Sequence, residues 1–426
     1  MGLLVGCVRS DGGTFNLGDA QQGAASKGFE STTQVRSLSA LAQIVYQLQQ
    51  YVAAKDLGSI HYEDEILSAC MKPLRQRGDV VSYTQREQFM SDLTAFARHV
   101  SDLHLAGDLG QQATAEAELH QVVESFDRVK SHFPEWTVAA ALQSTNRFTC
   151  PMHPDVVGRR TDYCPKCGME LNQLIRVFPP DVGSDSFQTE VHASIEPKSP
   201  LVPGKACAAV LHLQHADGGP VVLSDLLETH TRKIHLLIVD KSLTDYHHEH
   251  PVPTATPGEY AFAFTPRKPG PYRAWADLRV QPTGLQEYAM ADIAAATTPE
   301  PLRDHATSLE TTVDGLNYRI ILLNGAIRVG TPSTATLRVS TPDGKAFTRL
   351  EPIMGAFAHI VALNEDYKTV VHTHPRGPAV SDPSARGGPD LEFQIYSLKS
   401  GFYRLFAQVQ IDGRSRFAPF GIVIHE

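Results

Sequence analysis

The sequence has little of what marks a disulfide scaffold, a nucleic-acid binder or a membrane span. Only 6 of its 426 residues are cysteine, and their spacing does not suggest a disulfide framework. The formal net charge is −9, whereas a nucleic-acid binder normally presents a basic face. No run approaches the roughly 18 consecutive apolar residues of a transmembrane helix. We therefore expect a globular protein without a nucleic-acid partner.

Histidine, by contrast, is abundant, with 19 residues in the chain. Imidazole is the commonest metal ligand among side chains, so metal binding is the first functional hypothesis. A length prior of roughly 150 residues per domain predicts about three domains. The patterns below indicate a multidomain α plus β protein. It has an N-terminal helical bundle, a small metal-binding knuckle and two tandem antiparallel β-sandwich domains.

Residues 1–33 predict a truncated export segment followed by a flexible tether. Leu4-Val5-Gly6-Cys7 resembles a bacterial lipobox, in which the cysteine is lipidated. A chance tetrapeptide is the alternative. Residues 8–33 are rich in Gly, Ser, Gln and Thr and show no hydrophobic period, which is typical of a tether. The resemblance implies an envelope location, periplasmic or extracytoplasmic, with Cys7 as the lipidation site and a lipid anchor as the membrane contact.

Residues 34–134 predict a four-helix bundle. Apolar residues recur every three or four positions in four stretches: 38–52, 62–74, 89–103 and 115–133. Thr84 and Glu87 have the spacing of a capping box at the start of the third helix. Short connections between such helices favour antiparallel packing.

Five histidines lie in this helical region: His61, His99, His104, His120 and His132. Bundles can hold a metal between their helices, but the region has neither a Cys-x-x-Cys-His haem motif nor a Glu-x-x-His di-iron motif. We expect these five side chains to lie on the surface or rim of the bundle.

A cysteine motif in residues 147–174 is the most specific signal in the chain. It contains Cys150-Pro-Met-His-Pro and then Cys164-Pro-Lys-Cys-Gly-Met. A Cys-x-x-Cys pair places two thiolates on one tight turn, as in zinc ribbons. Thiolates favour Cu(I), Ag(I) and Zn(II) over hard cations. The predicted ligands are three cysteines with three candidates for the remaining position: Cys150, Cys164 and Cys167, then His153, Met152 and Met169.

This motif resembles the heavy-metal-binding domain of copper-transporting P-type ATPases and of efflux adaptor subunits. The resemblance rests on Thr-Cys-Pro-Met-His-Pro at 149–154 and Cys-Pro-Lys-Cys-Gly-Met-Glu-Leu at 164–171. It implies Cu(I) or Zn(II) at the cysteine motif, and an efflux system or metalloprotein as partner. The rest of the sequence has no phosphate-binding loop and no membrane helix, so the resemblance does not extend to an ATPase. A structural zinc knuckle or a Cys164–Cys167 disulfide is the alternative.

The C-terminal part repeats itself, which predicts β-sandwich domains at 185–300 and 308–426. Short β-prone segments bounded by Gly and Pro replace the helical pattern. Each copy has a matching set of three histidines, the second and third lying 13 and 15 positions after the first: His235, His248 and His250, then His359, His372 and His374. The pattern loosely resembles uncharacterised domains of secreted bacterial proteins.

This spacing predicts how the histidines meet. Two-residue turns at 241–242 and 365–366 would place the first and second histidine of each copy directly opposite each other. The third lies two residues further on and shares their face. Each domain would then hold its own three-imidazole site for Cu(II) or Zn(II). The alternative is a buried structural role, because His235 shares its face with Leu237 and Val239.

Together these motifs predict an exported soft-metal-binding protein for copper, silver or zinc. It would sequester the metal or hand it to an efflux or metalloprotein partner. The alternative function is an envelope interaction scaffold in which zinc only folds the knuckle. We expect no enzymatic activity, because the sequence shows neither a nucleophile–base constellation nor a blue-copper arrangement with cysteine.

Overall fold

A computed structural model of the protein describes residues 17–183, 189–293, 303–323 and 325–426, with side chains from Thr33 onward. The predicted lipidation residue, Cys7, lies outside the described residues. None of the described helices combines the length and the apolar character needed to cross a membrane.

Within the described residues, the N-terminal part forms five helices: α1 (Leu17–Ala53), α2 (Ile60–Gln76), α3 (Arg86–Asp108), α4 (Gln112–Lys130) and α5 (Glu135–Gln143). Helix α1 packs against α2, α4 and α5, and α3 packs against α2 and α4. The predicted apolar stripes form the core, in which Leu48, Leu67, Phe96 and Val122 are completely buried. The helical bundle is confirmed, with α5 as an additional short helix.

Two local expectations in the bundle differ from the structure. Residues 8–33, expected to be a tether, are helical from Leu17 onward. This segment is rich in Ala and Gln, which favour helix and extend a helix once it has nucleated. The capping box of Thr84 and Glu87 does not form, because Thr84 lies in a single 3-10 turn and α3 begins only after Gln85.

The cysteine knuckle is a three-stranded sheet with the order β2-β1-β3, made of β1 (Phe148–Thr149), β2 (Val157–Gly158) and β3 (Gln173–Leu174). Two contacts attach it to the bundle. The Phe148 ring meets Tyr46 of α1 edge-on at 6.3 Å between ring centroids. Arg176, just after β3, donates to the carboxylate of Glu63 on α2 at 2.9 Å, and both side chains are buried.

The two predicted sandwiches are present, each with a four-stranded and a five-stranded sheet. The first contains β4 (Val191–Pro197), β5 (Cys207–His215), β6 (Leu226–Leu227), β7 (His235–Asp240), β8 (Tyr246–Glu249), β9 (Val252–Pro253), β10 (Glu259–Phe264), β11 (Tyr272–Val280) and β12 (Leu285–Ile293). The second contains β13 (Glu310–Val313), β14 (Leu316–Leu322), β15 (Ile327–Arg328), β16 (Ser333–Ser340), β17 (His359–Asn364), β18 (Val370–Thr373), β19 (Asp390–Ile395), β20 (Gly401–Ile411) and β21 (Arg414–His425).

The five-stranded sheets of the two domains pack against each other, so β7 and β17 are buried on both faces. Along β7, Leu236 and Ile238 enter the core of the first sandwich. Leu237 and Val239 point the other way and contact the second domain through one apolar cluster. Its remaining buried members are Leu243, Tyr246, Trp275, Val361, Leu363, Tyr367, Val370 and Phe406. This double burial explains the unbroken apolar run inside each strand, Leu236–Val239 in β7 and Ile360–Leu363 in β17.

A buried polar network joins the bundle to the first sandwich. Arg279 of β11 lies 2.5 Å from the Asp64 carboxylate of α2, and His104 of α3 contacts the same carboxylate at 3.1 Å. His104 also lies 2.9 Å from the ring of His61. These two histidines, expected on the surface or rim, are only 3% and 7% exposed. They are buried because the sandwich covers this side of the bundle.

Candidate metal centres

The cysteine centre brings four predicted ligands together. The Cys150 sulfur lies 3.5 Å from the Cys167 sulfur and 3.8 Å from Nδ1 of His153. That nitrogen lies 3.5 Å from the Cys164 sulfur. All four ligand atoms are within 4.8 Å of one another. The set is three sulfurs and one imidazole nitrogen.

A tight backbone turn positions the Cys-x-x-Cys pair. The Gly168 N–H donates to the Cys164 carbonyl at 2.8 Å, and the Cys164 N–H donates to the Met169 carbonyl at 2.7 Å. Gly168 has a φ of +75°, which glycine adopts without the steric cost that a β-carbon imposes. This turn aims Cys164 and Cys167 at the loop that carries Cys150.

The spacing of these atoms fits a four-coordinate soft metal. Metal–sulfur bonds of roughly 2.3 Å in a tetrahedron place two sulfurs about 3.8 Å apart. The observed 3.5 Å between Cys150 and Cys167 is close to that value. Within the described residues all five cysteines are free thiols, so the alternative Cys164–Cys167 disulfide is not formed. The donor set therefore suits Cu(I), Ag(I) or Zn(II).

Electrostatics prepares one thiol for ligation. Burial acts to raise the pKa of Cys164, but the N–H groups of Lys166 and Cys167 outweigh it and lower this pKa to about 7. Cys167 receives an N–H from Met169, which lowers its pKa, but burial and the neighbouring thiols raise it overall. Metal ligation requires the thiolate. The lowered pKa of Cys164 favours that form.

The two candidate thioethers stand apart from this arrangement. Met152 is 66% exposed and Met169 is 42% exposed. Three cysteines and His153 already supply the four positions of a tetrahedral shell. The ligand role of the two methionines stays a prediction.

The histidine centre differs from the sequence-based expectation in a larger way. The packing of the five-stranded sheets brings the six imidazoles of the two triplets, together with His230, into one cluster. The ring of His235 lies 5.4 Å from that of His372, and His248 lies 6.1 Å from His359, between ring centroids. The cluster, which we call the histidine centre, consists of His230, His235, His248, His250, His359, His372 and His374.

The strand register in both hairpins also differs from the prediction. His248 pairs with Leu237 rather than with His235, and His372 pairs with Val361 rather than with His359. The turns contain four residues instead of two, because the Asp240 carboxylate accepts N–H groups across the first turn and holds it wider. A shift of two residues keeps each side chain on its face. The ring nitrogens of each pair therefore still meet, at 3.2 Å and 3.3 Å.

The two domains exchange hydrogen bonds across the histidine centre. His248 of the first domain donates from Nδ1 to the Gln408 amide oxygen of the second at 2.8 Å. His372 of the second donates from Nδ1 to the Asp277 carboxylate of the first at 2.7 Å. Asp277 pairs with His235, and Gln408 pairs with His359, in their respective sheets. The interface is thus pseudo-symmetric, with one acidic and one neutral acceptor.

Burial favours the neutral form of most imidazoles in this centre. Burial and neighbouring histidines together lower the pKa of His235 to about 4 and that of His250 to about 3. Burial and nearby histidines hold the pKa values of His230, His248 and His359 well below the usual range. Neutral imidazole is the form that binds a metal.

The ligand sets in the two halves are not identical. In the first half, ligand nitrogens of His235, His248 and His250 lie within 4.8 Å of one another, as predicted. In the second half, His374 turns away and groups with His230 and Asp108 of helix α3. Two residues further on, Arg376 binds Asp56 and Ser59 near the bundle, which draws this loop toward the helices.

Sequence reasoning missed His230, Asp108 and Asp277. A signal for His230 exists in the repeat, because it precedes His235 by as many positions as Met354 precedes His359. Both residues take a left-handed conformation, with φ of 49° and 50°. Aligning the two copies five residues further upstream would have identified this turn. Asp108 lies on another domain, and the repeat contains no sign of it.

Two protein families match the sequence. Residues 147–173 match the family described as heavy metal binding domain, which confirms the resemblance of the cysteine motif. Residues 188–295 and 311–426 match the family described as domain of unknown function (DUF8832), once over each sandwich. A comparison with curated proteins finds no match.

Solved structures show only distant likeness. The adhesin FdeC of Escherichia coli is 13% identical over 56% of this chain and 64% of that chain, with a TM-score of 0.17. MtrC of Shewanella baltica is 10% identical over 55% of this chain and 68% of the other, with a TM-score of 0.18. A DUF4785 family protein of Legionella pneumophila is 10% identical over 63% and 64%, also with 0.18. The aligned part is less than two thirds of the adhesin chain.

Proposed function

The chain belongs to the DUF8832 family, and we propose that it is an exported soft-metal-binding protein. It holds copper, silver or zinc at its heavy metal binding domain and passes the ion to an efflux system or metalloprotein. The observation that carries this proposal is the convergence of Cys150, Cys164, Cys167 and His153 within 4.8 Å.

The uneven exposure of the ligands supports transfer rather than permanent storage. Cys150 and Cys164 are buried, with 0% and 2% exposed, whereas Cys167 is exposed. A partner thiolate can reach the ion from the Cys167 side while the two buried sulfurs still hold it. Exchange of one ligand at a time avoids releasing a free ion.

The proposed envelope location has separate support. Leu4-Val5-Gly6-Cys7 resembles a lipobox, and the cysteine would carry the lipid. We propose that the protein is periplasmic or extracytoplasmic, with membrane contact through this anchor. Replacing Cys7 with Ala in the native host should move the protein from the membrane to the soluble fraction. Unchanged fractionation would contradict the anchor.

A structural zinc knuckle is the second candidate function. Cys150 and Cys164 belong to the knuckle's small core, together with Phe148, Leu171 and Leu174. A zinc ion there would hold the knuckle on the bundle and serve an interaction scaffold without metal transfer.

Anaerobic competition with a chromophoric Cu(I) chelator separates the two candidates. We expect a dissociation constant for Cu(I) on the order of picomolar or lower. The Cys164→Ser/Cys167→Ser variant should lose this binding. Cys207→Ser is the matched control, because the Cys207 thiol contacts the Ser199 carbonyl at 3.3 Å and a hydroxyl retains that hydrogen bond. Retained Zn(II) without Cu(I) competition would overturn the transfer function and support the scaffold.

A further inference from the structure

We infer that the histidine centre between the two β domains is a second metal site, selective for a borderline divalent cation, Cu²⁺ or Zn²⁺. Its principal ligands are His235, His248 and His250. The inference goes beyond the proposed function, because it rests on other residues and on nitrogen rather than sulfur chemistry.

Hydrogen bonds orient the two imidazoles that begin the hairpins. His235 contacts the Thr229 carbonyl through Nε2 at 3.1 Å, and His359 contacts the Ile353 carbonyl through Nε2 at 3.2 Å. A carbonyl only accepts, so Nε2 carries the hydrogen in both rings. A neutral imidazole protonated at Nε2 has a lone pair at Nδ1, and in both residues Nδ1 points into the centre.

Hydrogen bonds also orient the two imidazoles that face them. His372 donates from Nδ1 to the Asp277 carboxylate, and His248 donates from Nδ1 to the Gln408 amide oxygen. The Gln408 NH₂ group donates to the Ser415 hydroxyl at 3.2 Å, which agrees with this orientation. When these two rings are neutral, each presents a lone pair at Nε2, which also points into the centre.

These tautomers leave lone pairs facing one another. Nδ1 of His235 lies 3.2 Å from Nε2 of His248, and the equivalent atoms of His359 and His372 lie 3.3 Å apart. Two unprotonated nitrogens at this distance repel each other unless a cation lies between or beside them. Outer N–H groups bound to a carbonyl or carboxylate are the usual arrangement around metal-ligating histidines.

His250 supplies the third nitrogen. Its Nε2 is buried and has no hydrogen-bond partner among the residues that the structure describes. A ring nitrogen of His250 lies within 4.8 Å of the ligand nitrogens of His235 and His248. A buried polar atom without a partner is costly, and a metal bond would satisfy it.

The all-nitrogen donor set determines which ion fits. Imidazole suits Cu²⁺ and Zn²⁺, whereas Mg²⁺ and Ca²⁺ prefer oxygen ligands and Cu(I) prefers sulfur. The chain would thus separate its metals by chemistry, with thiophilic ions at the knuckle and divalent ions between the sandwiches. All three principal ligands belong to the first domain, and the second domain contributes Gln408, which accepts a hydrogen bond from His248.

The experiment uses the full chain with Cys150, Cys164 and Cys167 replaced by Ser, so that the cysteine motif cannot hold metal. The protein is loaded with Zn²⁺ or Cu²⁺ and dialysed, and its metal content is measured by plasma mass spectrometry. We expect at least one equivalent to remain bound, and Cu²⁺ should show nitrogen hyperfine splitting in electron paramagnetic resonance. Complete loss of metal on dialysis would overturn the inference.

Two variants in this background test the ligands. His248→Gln should weaken Zn²⁺ binding at least tenfold, while His192→Gln, on the exposed face of β4, should leave it unchanged. Equal binding by both variants would overturn the inference. If His248→Gln fails to fold by circular dichroism, His250→Gln replaces it, because His250 is less buried. With the cysteines intact, Cu(I) competition on the same variants reports on the proposed function independently.

Discussion

At the scale of single residues, the two halves of the histidine centre differ in the group that accepts the Nδ1 hydrogen bond of His248 or of His372. Asp277 places a carboxylate behind His372, whereas Gln408 places a neutral amide behind His248. Burial acts to raise the pKa of Asp277, but the hydrogen bond from His372 and other neighbours lower it overall, so Asp277 is ionised. A carboxylate increases the basicity of the imidazole that donates to it.

We therefore predict that Asp277→Asn weakens Zn²⁺ binding at the histidine centre, but by less than the roughly 10- to 100-fold expected behind a direct ligand, because His372 is not one of the three principal ligands. The amide can still accept the His372 N–H but carries no charge. Calorimetric titration of the chain with Cys150, Cys164 and Cys167 replaced by Ser measures the effect, with Asp292→Asn as a control at an exposed position of β12. An unchanged affinity would show that the carboxylate does not act on the metal.

A second residue, Glu287 of β12, predicts a pH dependence of stability. Burial raises the pKa of Glu287 to about 7, and the nearby Glu190 carboxylate adds to this shift. In the unfolded chain this group has a pKa of roughly 4.3. Between these two pKa values the folded state binds more protons, so its stability falls as the pH rises.

We expect the Glu287→Gln variant to lack this slope. The difference in unfolding free energy between this variant and the unmodified protein should shift in favour of the variant from pH 4 to pH 8, by on the order of 2 kcal/mol. Urea unfolding at several pH values measures the difference, and Glu310→Gln, at an exposed position, is the control. If the unfolding free energies of Glu287→Gln and of the unmodified protein changed in parallel with pH, the assigned pKa of Glu287 would be contradicted.

At the scale of elements, buried ions hold the bundle against the first sandwich. Replacing Arg279 with Leu leaves Asp64 buried beside His104 without its guanidinium partner. Breaking a buried ion pair in this way costs roughly 3–5 kcal/mol. Arg338→Gln, which removes an exposed pair with Asp390, should cost less than about 1 kcal/mol. Denaturant unfolding measures the loss of stability in each variant. Equal losses for the two variants would contradict a stabilising role of the buried network.

Most elements could be predicted from the sequence because their signals are local. Apolar stripes of period 3.6 marked the four long helices, and the repeat marked both sandwiches. Helix α5 gave little signal, since Val138-Ala-Ala-Ala-Leu has no polar face that would set a period. The hairpin register was missed because the carboxylate of Asp240 sets the turn length through contacts that a turn-length prior does not include.

The cysteine centre was predictable for the same reason: its ligands lie within one short segment. The histidine centre was only half predictable. The repeat identified six of its residues and the face that they share, but not which surface that face meets. Because Leu237 and Val239 share it with His235, a sandwich core and a domain interface are indistinguishable in the sequence. Only the packing of the sheets shows that six imidazoles make one cluster.

At the scale of the whole molecule, Trp275 is central to the contact between the sandwiches. It is 1% exposed, and its indole N–H donates to the Lys368 carbonyl of the second domain at 3.0 Å. Trp275→Ala should cost roughly 3–5 kcal/mol and reduce Zn²⁺ binding at the histidine centre. Trp275→Phe retains much of the packing and should cost less. Calorimetric unfolding and metal titration test both effects, and wild-type values for the Ala variant would contradict this role.

The difference between His230 and Met354 has a further consequence. These residues occupy equivalent left-handed turns in the two halves. In a symmetric dimer of identical subunits, any substitution appears on both sides of the axis at once. Two copies within one polypeptide are free of that constraint, so one half can gain an imidazole while the other keeps a thioether. Covalent duplication thus permits different side chains at equivalent positions on the two sides of a nearly twofold interface.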